Sequence, residues 1–165
     1  MVVNKCTKHL SIAILSIIFS ASISVSQISG NQVSVDVIPI QNLNFGDLVA
    51  GVPKHISYQD PMNAGRFEVR VTHGNSLLIM ALLLPPVSLS GPQGATLNLS
   101  YTGSDGYYSM EPKLTGGATF DPLANLFFLE SGRKYYFYIG GTAEPTQTQR
   151  PGSYSGLIMF QVVYF

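Results

Sequence analysis

The side chains in this 165-residue sequence that could do chemistry are few and scattered. Beyond residue 26 the histidines are His55 and His73, and neither stands in a His-x-His or His-Glu-x-x-His spacing that would hold a metal. His73 lies in a His-Gly-Asn turn, where a solvated loop residue is the simpler reading. Gly152-Ser153-Tyr154-Ser155-Gly156 has the outline of a nucleophile elbow, but the middle position is Tyr154 and a strand follows where that motif needs a helix. Asp105 and Glu111 flank Tyr107-Tyr108, and no acidic pair has a spacing that makes it catalytic. The expectation is a non-enzymatic chain with no metal and no cofactor.

Aromatic side chains offer binding chemistry instead. Exposed tyrosines stack on sugar rings, so Tyr107 and Tyr108, in a loop after Ser104-Asp105-Gly106, are the glycan candidates. In Tyr135-Tyr136-Phe137-Tyr138, one face is expected in the core and the other beneath a loop. Asn98-Leu99-Ser100 matches the glycosylation sequon, but it alternates within a strand and is read as incidental.

The stretch that organises the chain is its last fifteen residues. Tyr154, Gly156, Ile158, Phe160, Val162 and Tyr164 share one face of a strand, and the other face is also largely apolar. Such a strand needs a core beneath it and a cover above it. No later strand exists in the sequence to pair its free edge, so another chain's strand is expected there. Burying about four or five alternate side chains at 1.5–3 kcal/mol each contributes on the order of 6–15 kcal/mol gross. Association costs then remove several of these.

Residues 1–26 read as a secretory signal peptide: Lys5 and Lys8, then an apolar and small-residue run over 10–25, then Ser24 and Ser26 before a cut at Gln27. Sixteen residues diluted by serines fall short of the ~20 of a membrane span. Export would leave a single domain, 27–165, with no cysteine and no integral membrane segment. Seven basic against nine acidic residues give it no footprint for nucleic acid.

The exported part reads as strands throughout. Alternation is clear over 33–37, 67–71 and 97–101, and Leu43-Asn44-Phe45-Gly46 follows Pro39. A continuous apolar run over 76–84 stops at Pro85-Pro86 and suits a central strand. Residues 118–129 fit either a strand or one helical turn. Seven to nine short strands between Gly/Pro-rich turns indicate an all-β fold, an immunoglobulin-like β-sandwich, possible to leave incomplete and to complete with a donor strand.

The terminal stretch resembles the last strand of chaperone–usher pilins, with penultimate Tyr164 and Gly152 fourteenth from the end. Leu43-Asn44-Phe45-Gly46, Gly140-Gly141-Thr142 and Pro151-Gly152-Ser153-Tyr154-Ser155-Gly156 are similar to motifs of a secreted bacterial β-domain family related to spore coat protein U. The resemblance implies a cell-surface or pilus-like subunit. A periplasmic assembly chaperone and then a neighbouring subunit would add a strand along Gly152, Tyr154, Ile158, Phe160, Val162 and Tyr164. Two features depart from the pilin pattern: there is no disulfide, and only six residues separate Gln27 from Val33 as a donor extension. A complete sandwich in which 32–40 pairs with the terminal strand is the alternative of the same fold. A self-contained module for a surface glycan is the rival from another class.

Overall fold

The computed structural model describes residues 34–72 and 79–164, and of Tyr164 the backbone alone. The expected signal peptide, His73 and the start of the 76–84 run lie outside the described residues. Twelve strands follow in chain order: β1 (Val35–Gln41), β2 (Lys54–Ile56), β3 (Gly65–Val71), β4 (Ile79–Leu84), β5 (Ser88–Ser90) and β6 (Thr96–Ser100). Then come β7 (Gly106–Ser109), β8 (Ala118–Phe120), β9 (Phe127–Leu129), β10 (Lys134–Ile139), β11 (Gly141–Glu144) and β12 (Met159–Tyr164). Every pairing among them is antiparallel. The fold is all-β, with three sheets in the manner of a β-sandwich. No helix among the described residues is long and apolar enough to cross a membrane.

The five-stranded sheet runs β1-β3-β10-β7-β8, the four-stranded sheet β2-β11-β6-β5, and the three-stranded sheet β12-β4-β9. One core joins all three. Phe160 of β12 meets Phe67 of β3 and Phe137 of β10 edge-on, at ring centroids 6.0 and 5.6 Å apart. Phe127 of β9 meets Phe137, Tyr108 of β7 and Phe120 of β8 in the same way. These contacts lay the three-stranded sheet across the five-stranded one from β3 to β8.

Two breaks in the chain assign strands to sheets. Gly140 ends β10 and begins the turn into β11, which joins the other sheet. Pro85-Pro86, which have no N–H to donate, end β4 before β5 enters the four-stranded sheet. The second break also explains why the terminal strand is shorter than expected. Instead of running on from Tyr154, the chain makes one bridge, Ser155 to Ser90, and resumes ladder pairing only at Met159 opposite Leu84.

Leu43 and Phe45 lie in a loop, not a strand, yet both are fully buried. Asn44 Oδ1 accepts from the Gly46 N–H at 2.8 Å and the Asn44 N–H donates to the Asn63 carbonyl, so side chain and loop do the pairing a strand would have done. Residues 118–129 form two short strands, β8 and β9, and no helix.

Candidate functional site

The terminal stretch keeps its alternation even where its ladder is interrupted. Tyr154, Ile158 and Phe160 are buried, Gly156 and Val162 are half-buried, and the odd positions from Ser153 to Val163 face outward. Tyr154, 1% exposed, is the anchor before the strand. Its hydroxyl donates to the Arg150 carbonyl at 2.8 Å and accepts from Gln149 Nε2 at 2.5 Å. Gln149, itself buried, also donates to the Thr96 carbonyl at 3.0 Å and so ties the segment to β6. Nothing in the sequence marked Gln149 for this, because its partner lies 53 residues away. Tyr154→Phe keeps the ring but leaves the Arg150 carbonyl and the Gln149 amide short of a partner. It should lower stability by about 1–3 kcal/mol in urea melts. Ser155→Ala, an exposed position joined to Ser90 by backbone alone, should change it by less than ~0.5 kcal/mol.

At Gly152 the close neighbour is the chain's own turn at Pro92. Gly152 sits seven residues before β12 at φ +142°, and a Cβ there would lie 2.6 Å from Pro92 Cγ. The residue is small because its own chain passes the turn at Pro92–Gly94 closely. For Tyr164, backbone pairing with Ile79 is described, and its side chain is not.

β12 is an edge strand. β4 pairs with it on one side, and among the described residues no strand pairs with the other. Of 32–40, the alternative internal partner, 32 and 33 lie outside the described residues and 35–40 are elsewhere: β1 pairs with β3 at the edge of the five-stranded sheet. The register places Val35, Val37 and Pro39 opposite Val71, Val69 and Phe67, and so on the inward face. Because β12 lies over β3 and β10, the position beside β12 and opposite β1 carries no strand among the described residues. Val37 of β1 and Val162 of β12 are both half-buried against the core.

The other edges are guarded. β1 carries Pro39 and a register shift between Pro39 and Gln41, while β2, β5, β8 and β9 have three residues each. β12 has six residues, Met-Phe-Gln-Val-Val-Tyr, with no proline, no charge and no bulge. Short strands, prolines and charges are the usual devices that stop edge pairing. β12 alone lacks them all.

Tyr107 and Tyr108 are not the exposed pair expected. Tyr107 is 6% exposed, stacked on Tyr58 at 5.4 Å, with its hydroxyl accepting from the Gly117 N–H at 2.8 Å. Tyr108 packs inward on Phe127 and Phe137. They do point to opposite sides, as an extended segment requires, but a loop from β2 to β3 covers one side and the core fills the other.

The fold does bring scattered polar residues together. His55 Nδ1 lies 3.1 Å from Thr142 Oγ1, and His55 Nε2 lies 3.7 Å from Asp105 Oδ1. The order hydroxyl–imidazole–carboxylate resembles a nucleophile and its base, but 3.7 Å is too long for a hydrogen bond. Asp105 Oδ2 is instead taken by the Thr102 N–H at 2.7 Å. The group ties the start of β7 to β2 and β11. A cavity of about 350 Å³ lies elsewhere, between Tyr108, Phe120, Phe127 and Tyr135. On the outer face of β3, Glu68 holds Arg70 at 2.6 Å, and that hydrogen bond keeps its carboxyl below the ordinary range. Among the described residues no three His, Cys, Asp or Glu side chains group closely enough to hold a metal.

Compared with known proteins, the chain matches no protein-family model and no curated protein.

Proposed function

We propose that this chain is an exported, non-enzymatic structural or adhesive subunit that another chain completes by adding a strand along β12. The observation that carries the reading is the unguarded edge of β12, six residues long and without proline, charge or bulge, which no strand among the described residues pairs. Backbone pairing there supplies affinity, and pockets for alternate side chains supply selectivity. The resemblance to chaperone–usher pilins and to the spore coat protein U-related domains points the same way. It names a periplasmic chaperone or a neighbouring subunit as the partner, and the cell surface as the destination. Immunoglobulin-like topology belongs to this same proposal. The rival glycan module is weakened because Tyr107 is buried and Tyr108, half-buried, turns inward onto Phe127 and Phe137.

Hydrogen exchange along 156–165 in the isolated exported monomer tests it. Amides of β12 turned toward β4 should be protected, and the alternate amides on the free side should exchange fast. Uniformly strong protection without a partner would mean that the edge is already occupied, and strand addition would be rejected.

A further inference from the structure

The two outer faces of this molecule are chemically opposite. On the five-stranded sheet, the outward positions of β3 and β10 include Arg66, Glu68, Arg70 and Lys134, with Glu68 paired to Arg70 and Lys134 and Arg66 lying over the Tyr138 ring. That face is charged, with Arg70 and Lys134 exposed over the buried Glu68. On the three-stranded sheet, Met159 stands opposite Leu84, Val163 opposite Met80, and Met80 opposite Phe128. Residues paired in this way share a face. Phe128 is 58% exposed and Met159 52%, with Leu84, Leu157 and Val163 also exposed. No charged residue stands on β4, β9 or β12. The cover expected above the terminal strand is therefore absent from the described residues.

We infer that this uncharged face packs against the same face of a second copy of the chain, as a two-fold dimer of stacked sheets. Side chains of this size, roughly half exposed, present on the order of 500 Å² of apolar surface, at the upper end of what a monomer shows. That is well over half of the ~800 Å² that each partner gives to a standard interface. A patch with no charge brings no like charges together when it meets itself, and a two-fold contact requires only that one surface complement itself. Two sheets stacked face to face lie ~10 Å apart with their side chains interleaved. The dimer uses the outer face of β12 and leaves its free edge open, so it stands or falls independently of strand addition.

The test is the oligomeric state of the exported protein, by sedimentation across the micromolar range, for the parent and for Phe128→Lys and Leu84→Lys. The parent should be a concentration-dependent dimer, and each variant should shift the midpoint at least ~10-fold toward monomer while its melting temperature is retained. Should either lysine variant fold poorly, Gln161→Cys provides the second measurement. Gln161 is exposed midway along β12 on this face, so a short thiol cross-linker should join two copies through it. It should not join copies through Thr119→Cys on β8, on the other outer face. A parent that stays monomeric overturns the proposal. So does a dimer indifferent to both lysine variants, which would place the contact elsewhere. Monomeric protein that floats with phosphatidylcholine vesicles would overturn it in favour of a lipid surface.

Discussion

Gly140→Ala is expected to remove the folded state, or to lower its stability by about 4–5 kcal/mol, the upper tail for single substitutions. Gly140 sits where the chain leaves β10 in one sheet and enters β11 in another. A Cβ at this position would lie 2.2 Å from the Ile56 carbonyl oxygen, 2.7 Å from Tyr58 N and 2.9 Å from the Ser57 carbonyl carbon. All three are backbone atoms, so no side chain can swing away. Relief requires β2 to move from β11 or β10 to shift in its ladder. Either change also disturbs the Gly140 N–H bond to the Asp105 carbonyl, 2.7 Å long. Gly103→Ala is the control, because a Cβ there meets nothing within 4 Å. It should be neutral or stabilise by up to ~1 kcal/mol through the unfolded chain. Urea melts of the two variants beside the parent decide the matter. Equal midpoints for Gly140→Ala and the parent would show that the junction is not the close contact described.

Phe160→Ala is expected to cost about 3–5 kcal/mol. Phe160 is 4% exposed and is the side chain through which β12 reaches both β3 and β10. Its removal leaves a hole between two sheets whose rings are already packed edge to face, and backbone pairing on one side only cannot pull β12 inward to fill it. Val163→Ala, on the outward face of the same strand, should cost under ~1 kcal/mol in the monomer. The contrast separates the inward and outward roles of one strand within four residues. It also bears on strand addition: a partner that completes the sandwich should bind Val163→Ala normally and Phe160→Ala poorly, since the second loses the ordered edge. A stability loss for Phe160→Ala no larger than that for Val163→Ala would show that β12 is not anchored by that ring.

Much of this protein was legible in its sequence for one physical reason. Alternation is a property of the extended chain itself, so the inward set Tyr154, Ile158 and Phe160 needed no knowledge of neighbours. The all-β class followed from the same periodicity and from the Gly/Pro-rich turns. What a face or an edge meets is a different kind of fact. Tyr107 looked exposed because turn residues precede it, and it is buried because Tyr58, distant in sequence, lands on it. Gly152 looked like an opening for a partner, and it is small because Pro92 passes beside it. The outward row of the terminal strand looked as if it needed a cover, and the described residues supply none. Only the order of strands decided that β1 joins β3 and, among the described residues, leaves the far side of β12 without a neighbour, while charge gathers on one outer face and not on the other. Side-chain parity is written residue by residue, but the identity of a neighbour depends on contacts between segments far apart in the chain, which form only when the whole core closes.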